Sequence, residues 1–181
     1  MEFSVRRATL EDGAALERLI EESARVLSRG DYTGAQIEAA VASVFGVDTD
    51  LIHDGTYFVA EAEGKPIGCG GWSGRRTLFG GDRYGARDSG RLDPARDAAK
   101  IRAFFVRPDW ARRGVAAAIL EECEREAAAR GFRSLELMAT LPGVPFYAAR
   151  GYEGRERVSY EIAEGVTIEF VPMRKALSGS T

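Results

Sequence analysis

The first 45 residues carry two stretches in which apolar residues recur at helical spacing. Residues 3–8 alternate loosely and predict a short strand. Thr9 and Asp12 then form a capping-box-like start to a first helix, which Gly30 ends. A clearer capping box, Thr33-Gly-Ala-Gln36, opens a second helix. The apolar faces of the two helices are formed by Leu16, Leu19, Ile20 and Ala24, and by Ile37, Ala40, Val41 and Val44.

A hairpin pattern follows, and then a long segment of a different character. Residues 57–60 read as a strand, the run 63–66 turns the chain, and residues 67–72 return as its partner. Three glycines within the second strand indicate close approach of another backbone or of a ligand. Residues 73–98 are rich in Gly, Arg and Asp with little periodicity, which is typical of either a lid or an unanchored insertion.

The second half of the chain alternates strands and helices. A strong strand pattern covers residues 101–106, and the alanine-rich run 115–129 predicts a long helix that Gly131 ends. A strand over 135–139, a short helix over 146–149 and a closing hairpin over 158–170 follow. The order β-α-α-β-β-β-α-β-α-β-β predicts a mixed α/β sheet, with a parallel strand pair where the central crossover lies.

Length and composition narrow the function classes. The 181 residues fit one domain, 1–181, and a net charge of −3 argues against a nucleic-acid partner. No apolar run approaches the roughly 20 residues of a membrane span, so we expect a cytoplasmic protein. Cys69 and Cys123 are predicted to be small buried side chains. The single histidine, His53, excludes an ordinary zinc site and is expected in a loop or hairpin beside Asp54-Gly55.

The candidate chemistry begins at residues 104–117, where a strand, a tight turn and a long helix follow one another. Unpaired N–H groups and the helix dipole favour a phosphate at such a helix start. Gly114 lets an anion approach the backbone, Ala116 is too small to block it, and Arg112 and Arg113 add cationic donors. Taken alone, this stretch is equally compatible with a solvated helix start.

Tyr147 is the candidate acid. It begins a short helix directly after the next strand, and the ends of adjacent parallel strands bound one crevice. Its hydroxyl can therefore face the same crevice as Gly114 and donate a proton, with an ordinary pKa of about 10. The alternative is a core aromatic without a chemical role.

At these residues the sequence resembles the GNAT superfamily of acetyl-CoA-dependent N-acetyltransferases. The turn Ala111-Arg-Arg-Gly114-Val-Ala116 is similar to the family's Gln/Arg-x-x-Gly-x-Gly/Ala pattern, and Tyr147-Ala-Ala-Arg-Gly151-Tyr152 matches its Tyr-x-x-x-Gly-Phe/Tyr signature. The resemblance implies a mostly antiparallel twisted sheet, with one parallel pair splayed at the acyl-CoA site and helices on both faces. No metal is expected, because the sequence lacks spaced His or Cys ligands.

The resemblance also implies roles for particular residues. Tyr147 would protonate the leaving thiolate, and the Val106 N–H would polarise the thioester carbonyl. The positions that would contact acetyl-CoA are Phe104, Phe105, Val106, Arg112, Arg113, Gly114, Val115, Ala116, Ala117, Thr140 and Phe146. Thr140 stands where many relatives have Asn, and Lys100 stands where some have a Glu base, so the general base is left open.

The acceptor is the least determined part. A small-molecule or peptide amine is expected from the side of the first two helices, with a small amine, an amino acid, a peptide N-terminus and a protein lysine all left open. A homodimer is also left open. Candidate contacts are Tyr32, Trp72, Asp82 and Arg83. A non-catalytic acyl-CoA sensor or interaction domain on the same fold is the main alternative. A dinucleotide site is disfavoured because Gly114-Val-Ala-Ala-Ala-Ile lacks the second and third glycines of G-x-G-x-x-G.

Overall fold

The computed structural model describes residues 2–178. Seven strands and five α-helices follow one another in these residues. In chain order they are β1 (Ser4–Arg7), α1 (Gly13–Leu27), α2 (Gly34–Ser43), α3 (Thr49–Asp54), β2 (Tyr57–Ala62), β3 (Lys65–Ser73), β4 (Ala99–Val106), α4 (Val115–Ala129), β5 (Ser134–Thr140), α5 (Val144–Ala148), β6 (Val158–Ala163) and β7 (Val166–Ala176). None of these helices is long and apolar enough to cross a membrane.

The strands form one mixed sheet with the order β1-β2-β3-β4-β5-β7-β6. All neighbours are antiparallel except β4 and β5, which pair in parallel only at Ala99–Leu135 and Lys100–Glu136. Beyond Lys100 the two strands diverge, and β5 pairs along its whole length with β7 instead. The predicted mixed sheet, its single parallel pair and its splay are therefore confirmed.

A bulge in β4 marks the start of this divergence. The register between β3 and β4 shifts between Cys69 and Gly71, so that two β4 residues, Ala103 and Phe104, face one residue of β3. Ala103 has φ of 56°, a left-handed conformation that costs a non-glycine residue about 1–2 kcal/mol. The Tyr57 hydroxyl donates to the Ala103 carbonyl over 3.3 Å and helps to hold the bulge.

The glycines of β3 are explained by close packing. A Cβ on Gly70 would lie 2.6 Å from the Phe104 ring, and one on Gly71 would lie 2.5 Å from the Thr56 carbonyl. On the face that α4 covers, a Cβ on Gly68 would lie 2.6 Å from Val115. Small residues in β3 thus bring the bulge and the start of α4 close to the sheet, as the sequence indicated.

Helices cover both faces of the sheet. On one face α4 packs through Val115, Ile119, Leu120 and Cys123 against the middle strands. On the other face α1, α2 and α3 form a second core, to which Leu16, Ile20, Val41 and Leu51 contribute. Both cysteines are buried and free.

Two sequence expectations are corrected by the structure. Residues 49–54 form the additional helix α3, and His53 lies in its last turn rather than in a loop or hairpin. Asp48 caps this helix through the Asp50 N–H, and Gly55 ends it in a left-handed conformation. These are ordinary helix signals, but a single turn and a half offers too little periodicity to be predicted.

The segment 73–98 is packed against the rest of the fold and is not an unanchored insertion. The Phe79 ring packs against Tyr84, Tyr160 and Phe170 at centroid distances of 4.7, 4.7 and 4.9 Å. Arg75 forms a bidentate pair with Asp54, with both contacts at 2.7 Å. The segment is therefore fixed at several points, and its role as a lid stays a prediction.

Candidate active site

A cleft of about 730 Å³ lies where β4 and β5 diverge. One end, which we call the carrier end, is bounded by the turn before α4, by α4 itself and by α5. The other end, which we call the acceptor end, is bounded by α1, by the connection after α2 and by the segment 78–81. Residues of β4 line the cleft from one end to the other, so one continuous cleft is lined from both faces of the sheet.

The carrier end contains the start of α4. Gly114 is the N-cap residue, with φ of 84°, and no side chain caps the helix. The first backbone N–H of the helix with an intrahelical acceptor is that of Ala118, which donates to the Gly114 carbonyl over 3.0 Å. The preceding amides therefore have no intrahelical acceptor, and the helix dipole adds partial positive charge at this point.

Most of the predicted carrier residues around this turn meet at the cleft. Arg112, Gly114, Val115, Ala116 and Ala117 all line it. Arg112 has φ of 62°, so the turn passes twice through the left-handed region before the helix begins. Arg113 is not among the lining residues. Its guanidinium lies 5.4 Å from the centroid of the Trp110 ring, which gives it a packing role on the outside of the turn.

The free edge of β4 provides the second part of the carrier end. Phe104, Phe105 and Val106 line the cleft. Strand pairing with β5 ends at Lys100, so this stretch of β4 has no strand partner on that side within the described residues. Backbone donors and acceptors on such an edge can pair with an extended chain, as an added strand would.

Tyr147 lies in α5 and lines the same cleft. Its ring packs against Phe146, Tyr152 and Phe104, at 5.0, 5.7 and 6.3 Å between centroids. Burial raises the pKa of the Tyr147 hydroxyl well above the ordinary phenol value, so the group stays protonated at neutral pH. A neutral phenol inside a cleft can serve as a proton donor.

Thr140 and Phe146 also line the cleft. Thr140 ends β5, and its Oγ1 would lie 3.2 Å from a Cβ placed on Gly143. The structure adds Arg150, which sequence reasoning missed, with its guanidinium 4.2 Å from the Phe146 ring centroid. Its position inside the Tyr-x-x-x-Gly signature, three residues after Tyr147, could have drawn attention to it.

The four predicted acceptor contacts do not line the cleft. The Trp72 side chain is buried against α4, where its indole N–H donates to Glu126 Oε2 over 3.1 Å. Asp82 accepts hydrogen bonds from Thr49 and Arg87, and Arg83 forms an ion pair with Glu17 at 3.0 Å. Their expected role is therefore not supported by the geometry. Because side chains alternate along β3, Trp72 points to the face that α4 covers, opposite to the acceptor end. The sequence alone did not reveal which face this residue occupies.

Tyr32 is placed differently from the expectation but close to the site. Its hydroxyl donates to the Glu169 carbonyl over 2.6 Å and accepts from the Leu141 N–H at 3.0 Å. It thereby joins the start of α2 to β7 and to the turn after β5. Burial raises the pKa of Tyr32 to about 12. Its hydroxyl is occupied by the backbone, which gives it a positioning role for the turn near Thr140.

The acceptor end contains a buried arginine that sequence reasoning missed. Arg102 of β4 is 4% exposed and lines the cleft. Its Nη2 lies 2.5 Å from Asp48 Oδ2, and its Nη1 has no hydrogen-bond partner among the described residues. Burial raises the pKa of Asp48, although the charges of Arg102 and Arg87 oppose this shift. A charged residue within the otherwise apolar run 101–106 was the available signal.

Lys100 occupies the position at which some relatives have a glutamate. It forms an ion pair with Glu136 across the parallel strand pair, and burial lowers its pKa. Lys100 is not among the residues that line the cleft. The described residues contain no group of three or more side chains suited to hold a metal ion.

Comparison with known proteins agrees with this geometry. Residues 20–152 match the acetyltransferase (GNAT) family, and the chain belongs to that family. The family membership that the sequence motifs predicted is therefore confirmed. The general activity that the family supports is acyl transfer. No curated protein matches the sequence.

Several solved structures share the fold. A GCN5-related N-acetyltransferase from Rhodopseudomonas palustris aligns with a TM-score of 0.71 and 23% identity, covering 98% of this chain and 97% of its own. PaiA N-acetyltransferase from Thermoplasma acidophilum, in complex with coenzyme A, aligns with a TM-score of 0.66 and 15% identity, covering 97% of this chain and 99% of its own. Ribosomal-protein-alanine N-acetyltransferase from Brucella melitensis aligns with a TM-score of 0.64 and 18% identity, covering 96% of this chain and 99% of its own. At these identities the likeness establishes the fold.

Proposed function

We propose that this protein transfers an acetyl group from acetyl-CoA to the amine of a small-molecule or peptide acceptor. The observation that carries the proposal is the continuous cleft where β4 and β5 diverge, with an uncapped helix start at its carrier end and an apolar lining at its acceptor end. Such a cleft can hold donor and acceptor together, so the amine can attack the thioester directly in a ternary complex. We expect this to occur in the cytoplasm, without a metal and within one domain.

In this proposal the carrier end binds coenzyme A in three parts. The amides from Arg112 to Ala117 hold the pyrophosphate, because they lack intrahelical acceptors and lie at the positive end of α4. The free edge of β4 at Phe104–Val106 pairs with the pantetheine arm. The PaiA enzyme of the same fold has been solved with coenzyme A, which supports the assignment of an acyl-CoA carrier here.

The reaction then takes place where β4 and β5 separate. The amine nitrogen attacks the thioester carbon, and the Val106 N–H stabilises the developing oxyanion. When the carbon–sulfur bond breaks, the Tyr147 hydroxyl donates its proton to the leaving thiolate and recovers one from solvent. The nitrogen loses a proton in the same sequence, which yields an amide and free coenzyme A.

Initial-rate kinetics with mass spectrometry of the product test this function. Transfer in a ternary complex predicts an acetylated amine, stoichiometric free thiol and double-reciprocal lines that intersect. Parallel lines together with an acetylated form of the protein would instead indicate a covalent intermediate. Coenzyme A binding without transfer to any amine would favour the non-catalytic sensor.

A further inference from the structure

The acceptor end of the cleft is apolar and partly uncovered. Among the described residues, four large apolar side chains are exposed: Leu10, Val26, Leu27 and Leu78. Two of them, Leu27 at 38% and Leu78 at 45%, line the cleft. Behind them the wall is formed by Phe45, Phe79 and Phe170. An apolar ligand seated here would remove this surface from water, which favours binding in proportion to the area covered.

The charges along the cleft are all of one sign. The charged side chains that line it within residues 2–178 are Arg102, Arg112 and Arg150, and no carboxylate or imidazole is among the lining groups. Arg112 and Arg150 belong to the carrier end, so Arg102 is the charge nearest to an incoming acceptor. Asp48 is paired with Arg102 and compensates its charge, so the lining presents no negative charge that would attract an ammonium group.

Two carboxylates lie behind the wall. Both form ion pairs, although Glu17 Oε2 and Asp48 Oδ2 accept no hydrogen bond from the described residues. Asp48 is paired with Arg102 and with Arg87 Nη2, the latter at 2.7 Å. Glu17 Oε1 accepts from the Val47 N–H over 2.9 Å, and Oε2 lies 3.0 Å from Arg83. Neither residue lines the cleft. The wall therefore offers little to bind an ammonium group or to accept its proton.

This arrangement is poorly matched to a strongly basic amine. An alkylamine with a pKa of about 10.4 is neutral in only about one molecule in 10³ at pH 7, and only the neutral form attacks. A general base would normally remove the proton. An amine that is already neutral at pH 7 needs no such base.

We propose that the acceptor is an apolar, weakly basic amine of the aromatic-amine class. This inference rests on the proposed acetyl transfer and names its substrate. The neutral nitrogen lone pair forms the carbon–nitrogen bond as the carbon–sulfur bond breaks. The nitrogen then releases one proton to solvent, and the thiolate receives one from Tyr147. The ring of the acceptor lies against Leu27, Leu78 and Phe79.

A pair of isomeric amines tests the class. 4-Ethylaniline and 2-phenylethylamine have the same atoms and similar shape, but at pH 7 the first is neutral and the second is an ammonium ion. Free thiol formed from acetyl-CoA is measured for both, with spermidine as a polycationic probe. We expect kcat/KM at pH 7 to be at least about ten-fold higher for 4-ethylaniline than for its isomer, and lowest for spermidine. The rate with 2-phenylethylamine should rise about ten-fold per pH unit from 6.5 to 8.5, and that with 4-ethylaniline should stay flat.

Matched variants test the location. Leu78→Asp places a carboxylate at the acceptor end, whereas Leu10→Asp makes the same change at a side chain that is 59% exposed and does not line the cleft. We expect Leu78→Asp to lower kcat/KM for 4-ethylaniline about ten-fold and to narrow its lead over 2-phenylethylamine. Leu10→Asp should change neither value.

The outcomes separate this inference from the function on which it rests. Preference for spermidine or for 2-phenylethylamine at pH 7 would overturn the acceptor class and leave acetyl transfer intact. Equal effects of Leu78→Asp and Leu10→Asp would overturn the proposed acceptor position. Coenzyme A binding with no transfer to any of the three amines would overturn the acceptor class, and absence of transfer to peptide amines as well would contradict the proposed function itself.

Discussion

Removing the Tyr147 hydroxyl isolates the proposed proton transfer from packing. In Tyr147→Phe the ring keeps its contacts with Phe104, Phe146 and Tyr152. The structure gives the hydroxyl no hydrogen-bond partner among the described residues, so no buried group loses its partner. We therefore expect the free energy of unfolding to change by less than about 0.5 kcal/mol.

The effect on turnover should be much larger. General-acid assistance is typically worth about 10²–10⁴-fold, and a thiolate with a pKa near 8.5 leaves fairly well without it. We therefore expect kcat to fall about 10²-fold, with little change in coenzyme A affinity. Acyl donors with a more acidic thiol should show a smaller loss, because their thiolates need less protonation. Steady-state kinetics and a coenzyme A titration of the purified variant provide both values.

Tyr152→Phe is the matched control. Its ring lies 5.7 Å from that of Tyr147, but its hydroxyl donates to Glu124 over 3.0 Å and does not line the cleft. This variant should lose about 1 kcal/mol of stability and keep its turnover. Full activity in Tyr147→Phe, or equal losses in both variants, would refute the assignment of Tyr147 as the acid.

Two further predictions concern the segment 73–98. Phe79→Ala removes the ring that contacts Tyr84, Tyr160 and Phe170, so amide exchange in residues 77–91 should accelerate while β5 stays protected; uniform acceleration would contradict local anchoring. The hydrogen bonds from Arg75 lower the pKa of Asp54. The pair therefore stabilises the fold fully above the unfolded carboxyl pKa of about 3.9. This stabilisation is lost as the pH falls through the lower pKa of the folded state. In urea unfolding, Asp54→Asn should therefore have a lower free energy of unfolding than the native chain at pH 7, and this difference should shrink below about pH 4. A difference that is constant with pH would contradict the prediction.

The fold could be predicted to a large extent because its signals are local. The periodicity of α1, α2 and α4 and the alternation in β6 and β7 each follow from residues close in sequence. The carrier end was equally accessible, since the β4–turn–α4 unit is contiguous and brings Val106 and Gly114 together without distant contacts.

The acceptor end could not be predicted in the same way. It combines α1, the connection after α2 and the segment 78–81, which are far apart in the chain and meet only in the folded protein. Trp72 shows the difficulty, because its orientation depends on which face of the sheet α4 covers. Arg102 shows it too, because its partner Asp48 lies 54 positions earlier in the chain, in the cap of a helix too short to be recognised.

The central claim is that the start of α4 binds the acyl-CoA carrier, and a calorimetric titration of coenzyme A into two glycine variants tests it most directly. Gly114 and Gly165 both have positive φ, at 84° and 69°, and a Cβ on either would meet no atom within 4 Å, so a glutamate imposes similar backbone strain at both. Only Gly114→Glu places a carboxylate where the pyrophosphate would lie. The account predicts that the native chain and Gly165→Glu bind coenzyme A and not NAD, and that Gly114→Glu, still folded, has lost at least about 10²-fold in affinity. Native affinity for coenzyme A in Gly114→Glu, or binding of NAD in its place, would contradict it.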